Sequence, residues 1–87
     1  MRTRQRPSLD SMGKRSRRDI RERFGDAVRD RREALGLTQE EFAERAGIHR
    51  TYLSDIERGT RNVSLVNIER VAQGLSMKIS ELFLLAE

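Results

Sequence analysis

From Asp19 onward, apolar residues recur at steps of three and four, interrupted by glycines and small hydroxyl residues. That spacing keeps one face of a helix apolar. Ile20, Phe24, Ala27, Val28 and Leu35 predict a first helix from about Asp19 to Leu35, with these side chains on its core face and Gly36 as its stop. Phe42, Ala43 and Ala46 form a second stripe, opened by Thr38 and closed by Gly47. Leu53 and Ile56 carry a third, closed by Gly59. Ser64 suits the N-cap of a fourth helix, with Leu65, Ile68, Val71, Ala72 and Leu75 facing inward. A last short helix is expected over Ile79 to Leu85. Its run Leu82-Phe83-Leu84-Leu85 is apolar on more than one side, a surplus that suggests a second copy of the chain. The alternative is a frayed terminus whose leucines fold back. The pattern predicts an all-α fold of five helices.

The stretch from Thr38 to Gly59 organises the rest. Thr38 and Glu41 have capping-box spacing, so hydroxyl and carboxylate each satisfy a backbone N–H at a helix start. Gly47 can take positive φ and turn the chain. Two short helices about 3–4 turn residues apart, with a glycine in the turn, form a helix-turn-helix. The second of them carries Arg50, Thr51, Tyr52, Ser54 and Asp55 on its non-core side. Such side chains can bond base edges and phosphates. Arg58, Arg61 and Asn62 cluster just beyond, where a loop could hold a phosphate backbone; an ordinary polar loop is the alternative.

Charge narrows this picture. The 87 residues support one small domain, and their net charge is +4. Residues 1–19 hold seven basic and two acidic groups, giving +5; residues 20–87 hold eleven and twelve, giving −1. The excess therefore lies in residues 1–18, expected to form a disordered basic tail before a domain over 19–87. That tail reads equally as a solvated segment or as an arm along DNA. In the first helix, Arg21, Arg23, Arg29, Arg31 and Arg32 are mixed with Glu22, Asp26, Asp30 and Glu33, so most form a solvated face. No signal-peptide core or long apolar run is present, and a cytoplasmic, nucleoid-associated protein without membrane contact is expected.

Other chemistries fit poorly. Cysteine is absent and His49 is the lone histidine, so no cofactor or metal is expected. Ser54, His49 and Asp55 diverge around one short helix and lack an oxyanion hole. Glu40 and Glu41 are first-turn charges favoured by the helix dipole. No glycine-rich phosphate loop appears, and the sequence is not read as an enzyme. Four aromatic residues give little stacking platform for RNA.

The text GLTQEEFAERAGIHRTYLSDIERGTRNVSLVNIERVAQGL resembles the lambda-repressor-like, Cro/C1-type (XRE) helix-turn-helix regulators. The resemblance covers roughly Val28 to Phe83, with Gln39, Ala43, Gly47, Leu53, Ile56, Glu57 and Gly59 in step. Within that family, HRTYLSDIERGTRN looks most like the small controllers of restriction–modification systems. The resemblance implies a compact five-helix DNA-binding domain whose second and third helices form the motif. It places Gln39 on a phosphate, with Arg50 and Thr51 at base edges. Tyr52, Ser54 and Asp55 would touch bases or phosphates, and Arg58, Thr60, Arg61 and Asn62 would clamp the backbone. Arg32 and Glu57 match an ion pair between the first and third helices. His49 replaces the usual hydroxyl cap, and a phosphate contact is expected for it instead. Val63 replaces a common proline, Arg31 a common apolar residue, and Lys78 a usual cap.

The residues agree with that reading on their own terms. An arginine fork matches guanine O6 and N7, and a threonine methyl suits thymine. Asp55 repels phosphate; it could accept from a cytosine amino group, orient Arg50 or face solvent. The expected function is sequence-specific binding of double-stranded DNA by a transcriptional regulator. A homodimer joined through Ile79, Leu82, Phe83 and Leu85 would span a pseudo-palindromic site, with half-sites about 34 Å apart. RNA polymerase is a further expected contact. The alternative is a protein-interaction module, such as an antitoxin-like partner or an accessory component of a larger complex.

Overall fold

Side chains and turn residues fix each helix end. The computed structural model describes residues 18–87. The Asp19 carboxylate accepts from the Arg21 N–H at 2.7 Å and from its guanidinium at 2.8 and 3.0 Å, opening α1 (Ile20–Ala34). Those bonds, the guanidinium first, hold the Asp19 carboxyl at about 2, below its ordinary 3.8. Thr38 and Glu41 exchange both capping-box bonds, at 3.1 and 2.9 Å, and open α2 (Gln39–Ala46). Gly47, at φ 74°, ends it in the left-handed region that a Cβ disfavours. His49 precedes α3 (Arg50–Arg58) with no side-chain cap. Ser64 accepts from the Asn67 N–H at 3.2 Å at the start of α4 (Leu65–Gly74). α5 (Ile79–Ala86) opens with Glu81 accepting from the Lys78 N–H at 2.9 Å.

Every regular element among the described residues is a helix, and all five lie where the periodicity put them. α1 packs on α3 and α5, α2 on α3 and α4, and α4 on α5. Phe42, Leu53, Ile56, Leu75, Leu82, Val28 and Val71 are fully buried between them. Each such side chain is worth about 1.5–3 kcal/mol of transfer free energy. Helices of eight or nine residues cannot stand alone, so this burial holds the motif together. Gly25 lets α1 lie against the end of α3: a Cβ there would press on the carbonyl oxygens of Ile56 and Glu57.

The core differs from the expected set at four places. Ile20, Leu35 and Leu65 sit at helix ends, where the face they share with the core has run past its partner. They are exposed, Leu65 by 82%. Leu82, expected at a dimer face, is fully buried and belongs to the core. Arg18, expected in the tail, pairs with Asp26, and its carbonyl accepts from Arg23 Nη1 at 2.6 Å. The expected disordered tail and its alternative as a DNA arm otherwise fall on residues 1–17, outside the described residues.

Candidate nucleic-acid interface

The interface is built on a buried polar brace. Arg32, from α1, meets Glu57, from α3, in a two-point ion pair with N–O distances of 2.7 and 2.9 Å. Arg32 also donates to the Leu37 carbonyl at 2.8 Å, and Gln39 Nε2 donates to Glu57 Oε1 at 3.0 Å. Both members of the pair are buried. The bonded Glu57 carboxylate drives the Arg32 pKa above its already high ordinary value, so Arg32 stays cationic. One cluster thus ties α1, the loop before α2, α2 itself and α3. It leaves the Gln39 amide nitrogen turned inward, where a phosphate contact was expected.

With its back braced, α3 turns the other side outward. Arg50 and Thr51 are exposed in its first turn. Among the described residues, Arg50 has no side-chain hydrogen bond or ion pair, so its fork is uncommitted. His49 is exposed, and the first-turn N–H groups of α3 receive no side-chain cap, which leaves them open to an anion.

The far end of α3 is different. The Asp55 carboxylate accepts from Arg58 on one oxygen and from Arg61 Nε on the other, the latter at 3.1 Å. Ser54 Oγ accepts from Arg58 Nη1 at 2.7 Å. The Asp55 carbonyl accepts from both the Thr60 N–H and its hydroxyl, each at 3.1 Å. The Arg61 guanidinium carbon lies 5.0 Å from the Tyr52 ring centroid, within cation–π range. Tyr52 is half-buried, and its hydroxyl accepts from Asn67 Nδ2 at 3.2 Å.

Asp55 makes no bond to Arg50: its two oxygens accept from Arg58 and Arg61 instead. Tyr52 is anchored beneath Arg61, between α3 and α4. Arg58, Thr60, Arg61 and Asn62 stay exposed along one loop. Sequence reasoning missed Asn67, because nothing in the sequence marks an amide on α4 as the anchor for Tyr52. Among the described residues, no group of three or more His, Cys, Asp or Glu could hold a metal. No described helix is long and apolar enough to cross a membrane.

Away from the groove face, α4 and α5 leave Leu65, Val66, Ile79, Leu84 and Leu85 exposed. Phe83 is half-buried against Phe24, their ring centroids 5.6 Å apart. Leu84, absent from the expected dimer face, is exposed by 69%, whereas Leu82 is fully buried.

The helix-turn-helix family model HTH_3 matches residues 28–82. Control protein C.MunI from Mycoplasma sp is 50% identical over 66 residues, covering 75% of this chain and 89% of that protein. The crystal structure of the restriction–modification controller protein C.AhdI from Aeromonas hydrophila superposes with a TM-score of 0.71 at 46% identity. That match covers 72% of this chain and 96% of C.AhdI. The controller protein C.Esp1396I, crystallised as a tetramer on its natural 35 base-pair operator, gives a TM-score of 0.73 at 28% identity, covering 79% of this chain and 91% of that one.

Proposed function

Because the chain belongs to the helix-turn-helix family HTH_3, as a transcription regulator of the restriction–modification controller type rather than an enzyme, we propose that it binds a pseudo-palindromic operator as a homodimer. α3 lies in the major groove. Arg50 and Thr51 read base edges there, because they are exposed, adjacent and without side-chain partners among the described residues. The observation that carries this reading is the uncommitted Arg50 fork on a helix fixed from behind by the Arg32–Glu57–Gln39 cluster. His49 and the open first turn of α3 take a phosphate, and Arg58, Thr60, Arg61 and Asn62 hold the backbone beyond its far end.

The apolar groups left on α4 and α5 join two copies, so that their two recognition helices fall on successive turns of one DNA face. The tetrameric operator complex of C.Esp1396I supports association of copies on DNA. Contact with RNA polymerase is part of the same proposal, with no residue assigned to it.

Selection of bound duplexes from a random pool, repeated across salt concentrations, tests the reading. The expected result is one motif with an inverted repeat, its half-sites about 10 base pairs apart or a multiple of that. A flat profile would overturn sequence-specific binding. A single unpaired half-site would overturn the dimer.

A further inference from the structure

Two of the three guanidinium groups on and beyond α3 share one carboxylate. Asp55 takes Arg58 on one oxygen and Arg61 on the other, while Arg50 has no such partner among the described residues. The Asp55 side chain is 17% exposed, while those of Arg58 and Arg61 are 61% and 49% exposed, so the carboxylate is fixed against the domain and both guanidinium heads face solvent. Arg61 is held from a second side by the Tyr52 ring, and Tyr52 is tied to Asn67. The main chain of Asp55 fixes Thr60 through two further bonds, which do not depend on its side chain.

An anion in this place looks unfavourable for a DNA-binding loop, since it repels phosphate and cancels one of two positive charges. Attraction to any duplex is a matter of charge and counterion release. Discrimination depends on groups held in register with one sequence. A half-buried carboxylate gripping two arginines weakens the first and supports the second.

We propose that Asp55 is a specificity-determining residue that acts through Arg58 and Arg61, lowering affinity for DNA of arbitrary sequence while holding both arginines in the register of the operator. This rests on the operator-binding reading above and assigns a regulator of discrimination within that site. Asp55 touches no base; its role is exercised on the two side chains it holds.

The test compares the full chain with Asp55→Asn and Asp55→Glu on two duplexes, the one selected by the wild-type protein and a scrambled version. On the scrambled duplex, Asp55→Asn should bind more tightly, with a plot of log affinity against log salt steeper by about 0.9 per protomer, the value of one added phosphate contact. Its preference for the selected duplex should fall about fivefold or more, the low end of what one bidentate base contact discriminates. Asp55→Glu keeps the charge and should stay near wild type in both. Adding Arg61→Gln to Asp55→Asn should restore the wild-type slope.

An unchanged slope for folded Asp55→Asn overturns the proposal. So does equal weakening on both duplexes by Asn and Glu alike, with lowered thermal stability, which marks a purely structural residue. Should Asp55→Asn fail to fold, Arg61→Gln alone reads the same balance in reverse: its scrambled-duplex slope should be shallower by about 0.9, and an unchanged slope overturns the proposal. A wild-type selection with no motif would sink the operator reading itself. The slope comparison on scrambled DNA is independent of that result.

Discussion

Residues that share a charge do different work here, and their partners decide which. Arg32 is buried against Glu57, Arg58 and Arg61 are held by Asp55, and Arg50 has no partner among the described residues. Truncating Arg50 to alanine removes only what it does to DNA. Arg50→Ala should keep its thermal stability, lose about 1–3 kcal/mol of affinity for the selected duplex and relax preference at one base position. Titration on single-base variants of that duplex reads the change. Uniform weakening at every position would make Arg50 a phosphate contact instead. Arg32→Ala is the opposite case. It leaves the Glu57 carboxylate buried without its cation and should cost about 3–5 kcal/mol of stability in urea unfolding. Asp19 gives a pH signature at the same scale. Its carboxyl is held at about 2 by Arg21, so its contribution to folding is complete above the unfolded value near 3.8 and is lost as pH falls through 2. A carboxyl-carbon NMR titration should find that low midpoint; a midpoint near 3.8 would mean the cap does not form in solution. The identities of Arg50, Arg32 and Asp55 were plain in the sequence. The Arg32–Glu57 pair was legible through the family resemblance; the hold of Asp55 on both Arg58 and Arg61 was not, because it depends on how the turn after Gly59 brings Arg61 back beside α3.

Helices repeat one construction here with unequal parts. α1 ends by passing through Gly36 at φ 75°, with the Leu37 N–H bonding the Arg32 carbonyl at 3.1 Å. α4 ends the same way through Ser76 at φ 57°, with the Met77 N–H on the Ala72 carbonyl at 2.9 Å. Each turn then leads into a helix whose third residue back-bonds to the cap: Glu41 to Thr38, and Glu81 to Lys78. Serine has a Cβ, and the left-handed conformation costs it roughly 1–2 kcal/mol relative to the right-handed one. Glycine avoids that but adds freedom to the unfolded chain. Ser76→Gly should therefore stabilise the domain by about 0.5–1 kcal/mol, read as a raised urea midpoint at unchanged slope. A lower midpoint would mean that the Ser76 hydroxyl, 3.4 Å from Arg45, contributes more than the strain removes. Periodicity and stop residues located every helix, since both are local properties. Helix ends were where inward faces were misjudged. Leu65 falls on the apolar stripe of α4, yet the stripe there extends beyond its neighbours and meets solvent. Leu82 erred the other way, because a run of four apolar residues does not show which of them points inward.

At the scale of the molecule, the charge balance favours the proposed association of two copies. Residues 20–87 carry a net −1, so the folded part has no broad positive field to draw it onto DNA. Affinity has to come from a few placed arginines, and one copy presents only one short recognition helix. Joining two copies makes the second half-site contact effectively intramolecular, which raises overall affinity by about 10²–10⁴ without any new base contact. In the proposed dimer the joining surface lies on apolar groups that the core does not use. Leu84 and Leu85 on α5 are exposed by 69% and 57%, while Leu82 and Ala86 on the same helix hold it to the domain. Leu84→Glu with Leu85→Glu should therefore leave helicity and thermal unfolding of the single domain intact. Sedimentation equilibrium should show monomers where the wild-type chain is dimeric. Affinity for the selected duplex should fall about a hundredfold or more, while affinity for an isolated half-site stays unchanged. Dimers that persist with two buried glutamates would place the joining surface elsewhere. A wild-type chain that is monomeric while filling both half-sites would remove the need for it.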